Sequence, residues 1–155
     1  IVVDENRVEL IRGARIRHLE VMYNSLPSVD LHLESSRVSD HRLEIGYASV
    51  LTKTRGLIEA IEVIKSHPEC QLILAGSWPD EQEIISRINN SPNIKFRGAV
   101  EYDQALQIHA NSDVILATCD PTIPNNRYSS ANKLFEAMMF GVPITVAKGL
   151  AWIES

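Results

Sequence analysis

The sequence predicts a doubly wound α/β fold, a parallel sheet with helices on both faces. Short, nearly continuous apolar runs such as Gln71-Leu72-Ile73-Leu74-Ala75 and Val114-Ile115-Leu116-Ala117 read as strands buried on both sides. Segments of helical periodicity lie between them. Glycine closes the runs at Gly76 and Gly98 and stops a helix at Gly141. Repeated alternation of this kind implies right-handed crossovers, and ligands in such sheets bind at the carboxyl ends of the strands.

Taken in order, Ile1-Val2-Val3 and residues 18–23 are expected strands, the second closed by breakers at 24–27. Residues 30–40 are polar and mixed and read as a loop, and 42–47 as a strand. Residues 56–65 carry Leu57, Ile61 and Ile64 on one stripe and Glu59, Glu62 and Lys65 off it, an amphipathic helix. Asp80 is the expected N-cap of a helix reaching about residue 90, with Ile84, Ile85 and Ile88 on its buried side. A strand over 94–97, a helix over 102–111 and a strand over 114–117 follow, then a loop over 118–129. Residues 131–140 are helical and apolar almost all round, so burial is expected, with Ser129 or Ser130 at the N-cap. The last strand is 143–147.

The 155 residues are 45% apolar and 23% charged, ordinary for a globular chain long enough to bury a core. A net charge of −5 argues against nucleic acid or an anionic membrane as the main partner, since both attract a basic excess. Cys70 and Cys119 stand apart, outside any CxxC, and read as small core residues in a reducing compartment. The histidines His18, His32, His41, His67 and His109 show no zinc-ligand spacing, so no metal is expected. No apolar run approaches the roughly 20 residues of a membrane span, and no signal peptide is visible.

Three strand ends carry the candidate chemistry. In Gly46-Tyr47-Ala48-Ser49-Val50-Leu51-Thr52-Lys53-Thr54-Arg55-Gly56 a cation stands just before a helix N-terminus, where it opposes the helix dipole unless an anion is bound. A phosphate there gains from both the dipole and the guanidinium fork; a solvated turn arginine is the plainer alternative. In Phe96-Arg97-Gly98-Ala99-Val100 the glycine allows a flat base to approach the main chain, although most such glycines only turn the chain. The third segment runs from Ser129 to Pro143. Asn132, Lys133 and Glu136 share one face near the start of an otherwise apolar helix. A polyhydroxy anionic ligand would use all three, Glu136 accepting from hydroxyls; a Lys133–Glu136 ion pair at a domain edge is the alternative.

In this order the three segments resemble the carboxyl-terminal domain of family 4 glycosyltransferases: a glycine-bearing strand and loop with a basic residue before Gly, a Phe-x-Gly-x-Val strand end, and a Lys-x-x-Glu-Ala-Met-x-x-Gly-x-Pro helix. The similarity runs over residues 19–147. It implies a Rossmann-like half of a GT-B fold, and a retaining, metal-independent transferase that moves a sugar from a nucleotide-sugar donor to an acceptor, without cofactor. By motif, Arg55 resembles the phosphate-binding basic residue, Gly98, Ala99 and Val100 the base-binding turn, and Glu136 the acidic residue on the ribose hydroxyls. Tyr47 stands where many members carry a base, and Tyr128 where many carry a first acidic residue. The Asn-Lys-x-x-Glu helix start resembles a branch in which Ser130, Asn132 and Lys133 share the phosphate and sugar contacts. The catalytic roles thus fall to Arg55 and Lys133, and donor contacts also to Tyr47 and Ser49.

The resemblance further implies that residues 1–155 are the donor-binding part of a longer protein. The acceptor-binding amino-terminal domain would be its partner, and any peripheral membrane attachment would depend on that half; the chain itself is expected to be cytoplasmic and inactive alone. A sugar-nucleotide epimerase on the same scaffold and a non-catalytic nucleotide-sugar-binding module are the rival readings.

Overall fold

The computed structural model describes residues 2, 5–25, 42–77, 79–128 and 132–150. Five parallel strands form one sheet: β1 (Leu43–Ala48), β2 (Cys70–Ala75), β3 (Ile94–Phe96), β4 (Val114–Ala117) and β5 (Ile144–Val146), in the order β3-β2-β1-β4-β5. The Rossmann-like doubly wound sheet expected from the sequence is thus present. β1 lies beside β2 from Leu43↔Cys70 to Ala48↔Ala75, whereas its pairing with β4 stops at Gly46↔Ile115. The strands therefore splay at the centre of the sheet, where the order reverses and a crevice opens.

Helices α1 (Leu57–Lys65) and α2 (Glu81–Ile88) cover one face, and α3 (Tyr102–Asn111) and α5 (Asn132–Phe140) the other. The first face holds the larger core, built from Leu51, Leu57, Ile61, Leu72, Leu74 and Ile84 among others. Burying each such side chain contributes about 1.5–3 kcal/mol. The apolar stripe of α1 read from the sequence is its buried stripe. On the second face Ile115, Ala137 and Val142 form a smaller cluster. Gly46 lets α3 press directly on β1. A Cβ there would overlap Ser112 Oγ and lie 3.2 Å from the Ile108 carbonyl oxygen.

Several expectations differ. Residues 18–23 do not form a strand; Val21 makes one isolated bridge to Val2. Among the described residues nothing further pairs beside it, so the apolar run has no ladder to join. Asp80 does not cap α2 with its side chain, because its carboxylate accepts the Lys53 N–H at 2.8 Å instead. The loop over 118–129 contains a single helical turn, α4 (Pro124–Arg127), begun by proline at its first position. α5 is not buried all round: Met138 is 71% exposed, on a helix whose main packing is through the side facing α3, β4 and β5. The loop at 30–40 and the N-cap serines Ser129 and Ser130 lie outside the described residues.

Candidate functional site

A cleft of about 620 Å³ opens at the carboxyl ends of the strands, against the ends of β1 and β2, the loop after β3 and the first turns of α3 and α5. Ser49, Arg55, Ala99, Val100, Asn132, Lys133 and Glu136 all line it. Tyr47 and Gly98 do not. Tyr47 is fully buried, with its hydroxyl donating to the Val50 carbonyl at 2.8 Å and its ring lying 4.0 Å beneath Lys133 Nζ. Its side chain is thus a floor under the lysine. Gly98 turns the chain at φ 71 and accepts the Gly76 N–H at 2.8 Å, placing Ala99 and Val100 at the wall. A second cavity, of about 570 Å³, lies against α1 and is lined mostly by apolar side chains, so it offers little to an anion.

The β1–α1 loop is held rigidly. Residues Lys53–Arg55 form a short 3₁₀ turn, and Gly56 at φ 64 carries the chain into α1. The Thr118 hydroxyl donates to the Arg55 carbonyl at 2.7 Å, and the Asp120 amide to the Thr54 carbonyl at 2.8 Å. Asn126, buried in α4, donates to Thr54 O at 3.3 Å and Asp120 O at 3.1 Å. The loop after β4 therefore anchors the loop that carries Arg55.

Lys133 is buried, and among the described residues it has no carboxylate at ion-pair distance. Burial chiefly, and then the Arg55 guanidinium, push its ammonium down to about 7, while Glu136 opposes them. Burial likewise pushes the Tyr47 phenol up to about 12, against the opposing pull of Arg55 and Ser49. The Lys133–Glu136 pair weighed from the sequence is not formed. Glu136 Oε2 instead meets His109 Nδ1 at 2.6 Å, both side chains being buried.

His109 was missed as a site residue. The available signal was its place three residues after Leu106, on the buried stripe of α3, where a polar side chain needs a partner. Arg7 and Tyr102 were missed as well. Arg7 lines the cleft from the 3₁₀ helix Glu5–Ile11 and donates to Asn125 Oδ1 at 3.3 Å. Asn24 donates to Asn132 Oδ1 at 2.9 Å, so this segment leans over the cleft mouth. Tyr102 stands beside Glu136; burial, then the Glu136 and Asp103 carboxylates, raise its phenol above the ordinary value.

Residues 42–151 match the family model described as "Glycosyl transferases group 1". No curated protein matches the chain. Among solved structures, Anabaena Alr3699/HepE in complex with UDP-glucose is 22% identical with a TM-score of 0.59, the match covering 73% of this chain and 32% of that one. A mutant of S. aureus TarM in complex with UDP gives 15% and 0.68 over 94% of this chain and 29% of its own. The pneumococcal O-GlcNAc transferase GtfA in complex with UDP and GlcNAc gives 21% and 0.61 over 95% and 29%. At these identities the likeness is one of fold. The chain spans about a third of the length of each of these proteins. Among the described residues no helix is long and apolar enough to cross a membrane.

Proposed function

The chain belongs to the group 1 glycosyl transferases, and from that premise we propose that it is the carboxyl-terminal, donor-binding half of a family 4, GT-B enzyme that transfers a hexose-type sugar from a nucleotide-sugar with retention at the anomeric carbon. One observation carries this reading. A buried ammonium, Lys133, lies beside a second cation, Arg55, with the nearby carboxylate of Glu136 turned away toward His109. Two cations held together without a counter-ion are arranged for an anion that the described part of the chain does not supply.

A nucleoside diphosphate fits. Its phosphates would lie between Arg55 and Lys133, its base against Ala99 and Val100, and its ribose hydroxyls on Glu136. As the bond from sugar to diphosphate breaks, negative charge grows on the leaving phosphate. Cations already in place there stabilise that change more than they stabilise the bound donor. On this reading the two side chains take the charge without a metal. The acceptor would be held by an amino-terminal domain of the longer protein, through which any membrane attachment would also act, and the chain alone would transfer nothing.

The test is titration calorimetry with UDP, the nucleotide bound in the S. aureus and pneumococcal structures and the nucleotide part of the UDP-glucose in the Anabaena one. The expected dissociation constant is on the order of 0.1–1 mM, about −4 to −5.5 kcal/mol. Glu136→Ala should cost roughly 1.5–3 kcal/mol for UDP and hardly affect 2′,3′-dideoxy-UDP, because a hydrogen bond to a charged acceptor is removed from the first ligand only. Arg55→Ala should weaken both alike. Equal weakening of both nucleotides by Glu136→Ala would refute the ribose role.

A further inference from the structure

The splay between β1 and β4 has a backbone consequence. The amides of Leu43 and Ser49 donate to Glu69 O and Ala75 O on the β2 side of β1. The even-numbered amides between them therefore face β4. Glu44 N–H is taken by Asp113 Oδ2 at 2.8 Å, but pairing with β4 ends at Gly46↔Ile115. Ala48 N–H is left pointing into the crevice with no strand carbonyl to receive it. His109 Nε2 accepts it at 3.0 Å.

That contact settles the ring. A nitrogen that accepts a hydrogen bond carries no proton, so the hydrogen of the neutral imidazole sits on Nδ1. Nδ1–H then donates to Glu136 Oε2 at 2.6 Å. Glu136 lines the cleft, and among the described residues its Oε1 has no protein partner. Among the described residues, Lys133, one turn earlier on α5, and Tyr102 at the start of α3 also interact with this carboxylate, and Arg55 acts on Lys133 in the same cleft.

We propose that His109 is a positioning residue for donor binding: fixed as the Nδ1–H tautomer by the Ala48 amide, it holds Glu136 away from Lys133 and presents the free carboxylate oxygen to the vicinal hydroxyls of the ligand. This rests on Glu136 being the hydroxyl acceptor. Without the Nδ1 donor, the carboxylate's nearest cationic alternative is Lys133 at i−3 on the same helical face. That swing would occupy the phosphate-binding ammonium and withdraw the hydroxyl acceptor together. Gly46 enters the same chain of causes, because only its missing Cβ lets α3 come close enough for His109 to reach Ala48.

Two substitutions separate positioning from bulk. His109→Gln places an acceptor near Nε2 for the Ala48 amide but no donor near Nδ1. His109→Asn restores an N–H near Nδ1. The readout is the ratio of dissociation constants for 2′,3′-dideoxy-UDP and UDP, measured on the full chain with melting temperature as a control for folding. The parent ratio should be roughly 10- to 150-fold. H109Q should bring it below about 3-fold, and H109N should return it to within about 3-fold of the parent. A merely structural histidine would lower the melting temperature and weaken both nucleotides together, leaving the ratio of H109Q at the parent value; that result overturns the proposal. A parent ratio near 1 would instead sink the role of Glu136, and this inference with it.

Discussion

Lys133→Met should make the stability of the protein less dependent on pH, and the size of the effect follows from where the lysine sits. Its ammonium is nearly dry, faces the Tyr47 ring at 4.0 Å, and is repelled by Arg55. In the unfolded chain it titrates at its ordinary 10.5, and in the folded chain at about 7. Between those limits the unfolded state binds about one more proton, so stability rises with pH by about 1.4 kcal/mol per pH unit. Below the lower limit both states are charged and the whole cost, about 5 kcal/mol, is present; above the upper limit both are neutral and it is gone. From pH 7 to pH 9 the parent should gain about 2 kcal/mol from this one group. Methionine keeps the unbranched length over the aromatic ring and carries no charge. Urea unfolding of both proteins at pH 7 and pH 9 gives the comparison, and contributions from other titrating groups cancel in the difference. If K133M gains as much as the parent over that interval, the lysine is not destabilised by burial, and the argument for a waiting anion site loses its main support.

Two further outcomes test the scaffold that positions the site. Gly46→Ala should destabilise the protein by about 1–3 kcal/mol, since α3 must move off β1 to admit a methyl group. Adding Ser112→Ala should recover only part of this, because the Ile108 carbonyl stays in the way; full additivity in thermal melts would argue against the packing account. Asn93 is 3% exposed and donates to Ile64 O at 2.6 Å and His67 O at 3.1 Å, closing the carboxyl end of α1. Asn93→Ala should cost about 1–3 kcal/mol in chemical denaturation, with nucleotide affinity unchanged.

Much of the fold was legible in the order of residues because its signals are local. An apolar run such as Val114–Ala117 and a stripe such as Leu57, Ile61 and Ile64 each state their own period, and both elements occur where the period places them. Arg55, Lys133 and Glu136 stood out for the same reason: each is a charge where the local pattern calls for something else. The failures were equally physical. Residues 18–23 have strand-like composition, but a strand exists only where a neighbour offers its backbone, and that is decided elsewhere in the chain. Asp80 is a good capping residue, and a distant amide, Lys53 N–H, took its carboxylate.

The sequence by itself determined that a parallel sheet would bring strand ends bearing two cations and a carboxylate to one edge, since handed crossovers leave few other arrangements. What it could not express is how those charges would be partnered. Lys133 and Glu136 at i, i+3 left an ion pair along one helix open as the alternative to ligand binding, yet a histidine 27 positions earlier captures the carboxylate. It does so because the sheet splays at Ala48 and leaves an amide unmatched there, a vacancy that exists only once β1, β4 and α3 are packed together. Tertiary structure thus decided whether the ammonium is neutralised from within or left facing the cleft, because hydrogen-bond partners in a dry interior are assigned by proximity in space and not along the chain.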